Sequence, residues 1–203
     1  MPKKFTDKEK EIIKKSLIKT GKEHFSIYGL QKTSITDLTK SVGIAQGSFY
    51  NFFNSKEELY FEILENEEAE TEQYLKNIIS STDSAKEAIS ETIKATYNLF
   101  EKNNFLRRIY SSNDYNIMLR KIPDDKIKNH QKGDTEKVLN IIISAKKDNE
   151  HINASPEVIA GLFRGITILN FHQDEIGRDL FPKVIELLAE VVAEGLVKKD
   201  HAK

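Results

Sequence analysis

The side chains best suited to chemistry lie between Thr33 and Lys56, where the sequence reads TSITDLTKSVGIAQGSFYNFFNSK. Those not needed for packing are small, polar or aromatic: Gln46, Gly47, Ser48, Tyr50 and Asn51. They offer hydrogen bonds and an aromatic ring, but no nucleophile paired with a base. The chain also shows neither a Gly-rich phosphate loop after a strand nor a Ser/His/acid pattern. The sequence therefore predicts recognition by these residues and not an enzyme.

Two short helices must position these side chains, one predicted over about 34–41 and the other over about 46–52. Gly43 supplies a tight turn between them, and Ile44 is an apolar plug. This is the pattern of a helix-turn-helix, whose second helix enters the DNA major groove. Gly47 costs about 1 kcal/mol relative to Ala inside a helix, and its bare backbone would let the helix approach DNA closely. The alternative is an αα-corner of similar shape inside an ordinary helical bundle.

The distribution of charge favours a polyanion as partner for one end of the chain. Residues 1–60 hold 11 Lys/Arg against 7 Asp/Glu, whereas the remainder holds 20 against 25, so a net charge of −1 conceals a basic head and an acidic body. Such asymmetry fits DNA binding through the head. A lysine-rich first helix with a solvated face would produce the same imbalance.

Helix signals extend over the whole chain, and no strand is predicted. Capping-box spacings start helices at Thr6, Ser55 and Ser84. The first helix is predicted to stop near Gly29, a good residue just past a helix end. Sparse glycine and proline, 9 and 4 in 203 residues, also favour helix. About nine helices result, so the predicted fold class is all-α.

The C-terminal half shows three further organising signals. Pro123 suits the first turn of a helix, and the polar stretch 148–154 reads as a loop. Ser155-Pro156-Glu157 then starts a helix predicted to run to about Glu175. A last helix follows Asp179.

Composition excludes several function classes. Without cysteine the chain has no disulfide, thiol redox centre or cysteine-ligated metal. His172, Asp174 and Glu175 form too loose a cluster to predict a metal site, and no cofactor is predicted. No signal peptide or membrane-spanning apolar run is visible, so a cytoplasmic protein is expected.

The order of residues in the head resembles the signature of TetR-family transcription regulators. The residues that carry the resemblance are Thr33-Ser34-Ile35, Gly43-Ile44, Gly47-Ser48-Phe49-Tyr50, Phe53, Lys56 and Leu59. The match covers about a quarter of the chain. One departure is Ala45, which stands where the family usually has a Ser or Thr that caps the second helix, so that helix is expected to start less firmly.

The resemblance implies DNA contacts by position. Base edges would be touched by Thr36, Gln46, Gly47 and Tyr50, and phosphates by Ser34, Ser48, Asn51 and Lys56. The amide of Gln pairs well with adenine, and a Tyr ring packs on a thymine methyl. Two of these residues have plainer alternatives: Tyr50 as a core aromatic beside three phenylalanines, and Thr36 as a solvated helix residue.

The resemblance also implies an effector cavity in the body. Candidate lining residues, most of which are expected to serve as ordinary core, are Tyr97, Phe100, Tyr110, Met118, Phe163 and Asn170. An apolar pocket with few polar groups is the usual small-molecule site. A small apolar or amphipathic effector is therefore expected.

The last two long helices are the expected dimer interface. Apolar residues cover more than one face of the final helix, and Gly161 and Gly165 lie one turn apart on the helix before it. The residues expected at the interface are Gly161, Gly165, Val184, Leu188, Val191 and Val192. The resemblance implies that these helices pack with their mates as a four-helix bundle. Alternatively, both helices only cap the core of a monomer.

The sequence is therefore interpreted as a homodimeric repressor that binds a palindromic DNA operator and is released by a small molecule. The predicted domains are a DNA-binding head, 1–54, and a ligand-binding and dimerisation body, 55–203. An activator or a ligand-independent regulator is the alternative within the same class. A helical interaction protein or enzyme that does not bind DNA is the alternative from another class.

Overall fold

A computed structural model describes residues 5–127 and 150–199. Its helices are α1 (Asp7–Lys32), α2 (Ile35–Val42), the 3-10 helix η1 (Gln46–Asn51), α3 (Lys56–Ile79), α4 (Ala85–Lys102), α5 (Asn104–Ser111), α6 (Asp114–Leu119), α7 (Pro156–Leu169), α8 (Gln173–Ile176) and α9 (Phe181–Leu196). Two short strands, β1 (Glu150–Ile152) and β2 (Val197–Lys199), complete the elements. The predicted all-α class is confirmed.

The predicted helix starts reflect hydrogen bonds between neighbours in sequence. Thr6 and Glu9 form a complete capping box at the start of α1. Ser84 caps α4, where its side chain accepts from the backbone N–H of Glu87. These bonds satisfy backbone donors that a helix leaves unpaired in its first turn. By contrast, Ser155 precedes α7 without making a side-chain cap bond.

Two predictions about the C-terminal half were wrong. Residues 150–152 lie in a strand and not in a loop, because Ile152 pairs with Val197 in an antiparallel two-stranded sheet. The helix that starts after Ser155 ends at Leu169 and not near Glu175. Backbone bonds between residues three apart, such as Phe171 N–H to the Ile168 carbonyl at 3.0 Å, tighten the chain there and close the helix.

The chain forms two compact units in its described parts. The first comprises residues 5–68 and 104–127, and the second comprises 69–103 and 150–199. The first unit therefore extends beyond the predicted boundary between residues 54 and 55 and includes α5 and α6. Residues 124–127, after Pro123, are helical as expected, but the rest of the helix predicted there lies outside the described residues.

Each unit has its own apolar core. In the first unit, fully buried side chains come from all of its main helices: Leu17, Phe25, Leu30, Leu38, Phe49, Leu59, Tyr60, Leu64 and Ile109. In the second unit, one cluster joins α4, α7 and α9: Ile89, Ile93, Ile159, Phe163, Ile166, Phe181, Ile185, Ala189, Ala193 and Leu196. Burial of this size is the main favourable term that holds each unit together.

Candidate nucleic-acid interface

Helix α2 is fixed at its start by Ser34. The Ser34 hydroxyl accepts from the backbone N–H of Asp37 at 3.1 Å and donates to the Asp37 carboxylate at 2.5 Å. Leu38 and Thr39 are buried, whereas Thr36 is exposed. The helix therefore turns its apolar side to the core of the first unit and leaves Thr36 accessible.

The turn after α2 is set by Gly43, whose φ of 77° and ψ of 30° place it in the left-handed region. Its neighbour Ile44 donates its N–H to the carbonyl of Thr39 at 3.0 Å. Ala45 precedes the next helix without a side-chain cap, as its residue type predicts. That helix, predicted over about 46–52, is a 3-10 helix, Gln46–Asn51.

Two phenylalanines anchor η1 to the rest of the first unit. The rings of Phe49 and Phe53 lie 5.7 Å apart, and both are almost completely buried. The ammonium of Lys14 on α1 lies 5.5 Å from the centroid of the Phe53 ring, a distance at which a cation is attracted to an aromatic face. Because Phe49 of η1 and Phe53 just after it make these core contacts, most of the other residues of η1 can face outward.

The outward residues of η1 include three of the four predicted to touch bases, together with Asn51, which is predicted to bind a phosphate. Gln46, Gly47 and Asn51 are exposed, and Tyr50 is 57% exposed with its ring set edge-on against Phe49. Tyr50 is therefore not a core aromatic. A Cβ added at Gly47 would meet no atom within 4 Å. No contact inside the protein therefore explains the glycine.

Lys56, predicted to hold a phosphate, has another partner in the structure. Its ammonium donates to the backbone carbonyls of Gln31 at 3.1 Å and Thr33 at 2.9 Å. These carbonyls lie at the C-terminal end of α1, where the helix dipole favours a cation. Two of the three ammonium N–H groups are thus used within the protein. Nothing in the local sequence signals this contact, since its partners lie 25 and 23 residues away.

The other predicted phosphate contacts differ in accessibility. Ser34 and Asn51 are exposed, although the Ser34 hydroxyl is engaged as a cap. Ser48 is half-buried in η1. All eight predicted DNA contacts therefore fall on α2, η1 and the first turn of α3, within the first unit.

Glu58 fixes the start of α3 beside Lys56. Its carboxylate accepts from the backbone N–H and the side-chain amide of Asn54, both at 2.8 Å, and its own N–H donates to Ser55 Oγ at 3.1 Å. Burial acts to raise the pKa of Glu58, but these bonds and the ammonium of Lys126 outweigh it and lower the pKa below its ordinary value. Only half of the predicted capping box forms, because Glu58 reaches Asn54 rather than Ser55.

The six predicted effector-pocket residues are divided between the two units. Tyr110 and Met118 belong to the first unit, where Met118 is fully buried and Tyr110 is 41% exposed and stacked on Tyr115. Tyr97, Phe100, Phe163 and Asn170 belong to the second unit.

Asn170 is the one of these four that carries an unsatisfied polar atom. Its Nδ2 donates to the carbonyl of Ile166 at 2.9 Å, whereas its buried Oδ1 accepts no hydrogen bond. A buried acceptor without a donor is uncommon and costs stability. Phe163 and Tyr97, in contrast, pack with the apolar core of the second unit.

The predicted interface residues separate into two groups. Gly161 and Gly165 are exposed, with open space where a side chain would lie, and Val191 is 59% exposed. Val184, Leu188 and Val192 are half-buried, and the last two pack against the core of their own unit. Other large apolar side chains in or next to these helices are exposed as well: Val158, Ile168, Leu180 and Leu187.

Within residues 5–127 and 150–199, no three His, Cys, Asp or Glu side chains are arranged to hold a metal ion. In the same ranges, no helix combines the length and apolar character required to cross a membrane.

Comparison with known proteins agrees with this geometry. The family model described as bacterial regulatory proteins, tetR family, matches residues 17–63, which include α2, η1 and the start of α3. This part of the chain is therefore similar to the tetR family of bacterial regulatory proteins. A crystal structure of a TetR-family transcriptional regulator from Pectobacterium atrosepticum covers 97% of the chain with a TM-score of 0.65 and 22% identity, over 100% of its own length.

Two further similar proteins differ in how much of their sequence and fold they share with this chain. An uncharacterized HTH-type transcriptional regulator of Bacillus subtilis, YvdT, is 41% identical over 66 residues, 32% of this chain, and the match spans only 31% of that relative's own length. FadR of Bacillus subtilis, solved in complex with stearoyl-CoA, has a TM-score of 0.63 with 16% identity, covering 92% of this chain and 99% of its own. The shared sequence therefore lies in part of the chain, while the shared fold extends over nearly all of it.

Proposed function

We propose that this protein is a transcriptional repressor of the tetR family, which binds a palindromic DNA operator as a homodimer and leaves it when a small molecule binds. The observation that carries the proposal is the set of outward polar residues on η1, a helix anchored by two buried phenylalanines. In a helix-turn-helix this surface faces the major groove. In this proposal residues 1–54 form the DNA-binding domain, and residues 55–203 form the ligand-binding and dimerisation domain.

In this proposal Gln46, Tyr50 and Thr36 read base edges, and the bare backbone of Gly47 permits close approach. Ser34, Ser48 and Asn51 bind phosphates, with the remaining N–H of Lys56. Because base contacts specify sequence and phosphate contacts position the protein, the two sets respond differently to substitution. Loss of a base contact relaxes sequence preference, whereas loss of a phosphate contact weakens all DNA binding.

A selection from random duplexes with the wild-type protein tests DNA recognition. We expect one palindromic sequence to be enriched, and Gln46→Ala to cost roughly 1–3 kcal/mol and relax preference at one position of each half-site. Gln73→Ala, an exposed glutamine on α3 in the second unit, is the matched control. If no sequence is enriched at low salt, the proposal is refuted. If Gln46→Ala leaves the sequence preference unchanged, only Gln46 is excluded from the base contacts.

A homodimer is proposed through α7 and α9. On α7 the exposed residues Val158, Gly161, Gly165 and Ile168 repeat at intervals of three and four, so they form one stripe. On α9 the exposed side chains of Leu187 and Val191 continue the line of Leu180. Stripes with this spacing pack against another helix at a shallow angle. The bare backbone at the two glycines complements bulky side chains from a second copy.

Charge placed on the α9 stripe tests the dimer. We expect Leu187→Asp and Val191→Asp to sediment as monomers and to lose operator binding, with the helical content unchanged. Glu186→Lys, at an exposed neighbouring position off the stripe, is the control and should remain dimeric. Dimers in both aspartate variants would place the interface elsewhere.

The proposed effector is apolar or amphipathic, with a hydrogen-bond donor that meets Asn170 Oδ1. The support is this unsatisfied buried acceptor and the fold shared with FadR, the protein solved with stearoyl-CoA. Stearoyl-CoA is therefore the first probe. A ligand at 100 times its dissociation constant stabilises the folded protein by about 2.7 kcal/mol, and its effect on operator affinity must be reciprocal. A probe that raises Tm without weakening operator binding would contradict release as the response.

A further inference from the structure

The junction between α1 and α2 contains a backbone conformation that needs external support. At Gly29, φ is 77° and ψ is 174°, which breaks the regular geometry of α1 three residues before its end. The Gly29 carbonyl accepts from both the N–H of Thr33, at 3.3 Å, and its hydroxyl, at 2.8 Å. Since Ser34 begins α2 directly afterwards, the shape of this junction sets the direction in which the helix-turn-helix leaves α1.

Asp114, the first residue of α6, holds one side of the junction. Its Oδ2 accepts from the backbone N–H of Leu30 at 3.1 Å, across 84 residues of sequence. Asp114 is only 6% exposed, and Leu30 is fully buried. A buried carboxylate is costly in free energy unless it is paired and hydrogen-bonded. Asp114 therefore depends on its bond to the Leu30 N–H and on a nearby positive charge.

Arg108 on α5 completes the arrangement. Its Nε lies 3.5 Å from Asp114 Oδ2, an ion pair without hydrogen-bond geometry, and its Nη1 donates to the carbonyl of Ile27 at 3.2 Å. A Cβ at Gly29 would lie 2.6 Å from Nε and 2.9 Å from Cζ of Arg108. The guanidinium therefore occupies the space that any larger residue would need at the kink.

We propose that Asp114 and Arg108 are positioning residues for DNA binding, which orient the helix-turn-helix through the Gly29 kink without touching DNA. The α5–α6 segment holds the junction through Leu30 and Ile27, while Lys56 on α3 holds its last carbonyls. A change in the placement of α6 is thereby converted into a change in the direction of α2. The effect of Asp114 and Arg108 on DNA binding rests on the proposed function. Their support of the junction between α1 and α2 does not.

Amide hydrogen exchange on the full-length protein tests the structural part without DNA. In Asp114→Ala we expect exchange to rise at least tenfold at Leu30, Thr33 and the first turn of α2, with the α3 core at Leu59–Leu64 unchanged. Asp124→Ala removes the same charge from an exposed site in the same unit and should leave all of these amides unchanged. Unchanged exchange in Asp114→Ala, or a uniform rise over the whole unit, would overturn the proposal.

The second experiment compares affinity for the selected operator with affinity for a random duplex of equal length, at a temperature where every variant is folded. We expect Asp114→Ala to lower the operator-to-random ratio at least tenfold. Asp114→Asn, which keeps an acceptor for the Leu30 N–H, should recover most of that ratio. A lower Tm with an unchanged ratio would show that the residue only stabilises the fold. If the wild-type protein prefers no sequence, the proposed function fails, and the exchange experiment still decides whether Asp114 holds the junction.

Discussion

Replacement of Lys56 by alanine distinguishes two roles of this residue, support of the end of α1 and binding of a DNA phosphate, because each role affects a different measurement. In the structure its ammonium donates to the carbonyls of Gln31 and Thr33 at 3.1 and 2.9 Å. A hydrogen bond with a charged partner contributes about 1.5–3 kcal/mol net, but the Gln31 bond is exposed and water can replace it. We therefore expect Lys56→Ala to lower the free energy of unfolding by about 2 kcal/mol, or Tm by about 4–8 °C for a chain of this size.

The assay measures thermal unfolding of the free protein and the salt dependence of DNA binding in parallel. Lys40→Ala is the control, because Lys40 is an exposed lysine in the same helix-turn-helix and its removal changes the net charge equally. A lysine that binds a phosphate contributes about 0.9 to the slope of log K against log salt concentration. A lysine that only holds the end of α1 contributes to Tm and leaves the slope unchanged.

Both effects are expected for Lys56, since one ammonium N–H remains for a phosphate. An unchanged Tm would refute the reasoning from the two carbonyl bonds, whatever the DNA data show. If Lys56→Ala instead lowers Tm but keeps the wild-type slope of log K against log salt concentration, Lys56 does not bind a phosphate and only stabilises the fold.

Three further substitutions give separate predictions. In denaturant unfolding, Gly29→Ala should destabilise the protein by more than Gly43→Ala, because a φ of 77° with a ψ of 174° is adopted essentially only by glycine and because the new Cβ also displaces the Arg108 guanidinium. Gly43 lies in the left-handed region with open space around it, so Gly43→Ala should cost only the roughly 1–2 kcal/mol of a left-handed residue. Burial, then the charge of Asp114, raises the pKa of the Tyr60 phenol, and its buried hydroxyl has no hydrogen-bond partner, so Tyr60→Phe should leave Tm unchanged or raise it. Glu58→Gln should lower Tm at pH 7, and the difference should shrink as pH falls below 4.5, because a carboxyl with a lowered pKa stabilises the fold above its ordinary pKa and loses that contribution on protonation.

The sequence predicted best those features that depend on residues a few positions apart. The caps at Thr6 and Ser84 need only an acceptor at the right spacing, and the turn at Gly43 needs only a residue that tolerates positive φ. The exposure of Tyr50 was expected from the three neighbouring phenylalanines, of which Phe49 and Phe53 are buried and anchor η1. In each case the physical cause is local, so the sequence pattern alone carries it.

Features that depend on distant partners were missed. Strand β1 exists only because β2 pairs with it 45 residues later along the chain, Ile152 with Val197. The carbonyls bound by Lys56 and the N–H bound by Asp114 are equally remote, and nothing in the residues around them marks the contact. In α9, apolar residues cover so much of the helix that periodicity did not separate Leu187, which is 62% exposed, from Leu188, which packs on the core.

Two glycines in the head differ in what surrounds the position of the missing side chain. At Gly47 a side chain would meet nothing within 4 Å inside the protein, and the proposed close approach of DNA would explain the glycine. At Gly29 a side chain would collide with Arg108 from α5, so the reason lies inside the fold. The sequence pattern places Gly29 at the predicted end of the first helix and Gly47 inside a predicted helix, but it shows neither surrounding. They differ in what occupies the missing Cβ position, and for that reason substitution at Gly47 should weaken DNA binding without loss of stability, whereas substitution at Gly29 should first be detected as a loss of stability.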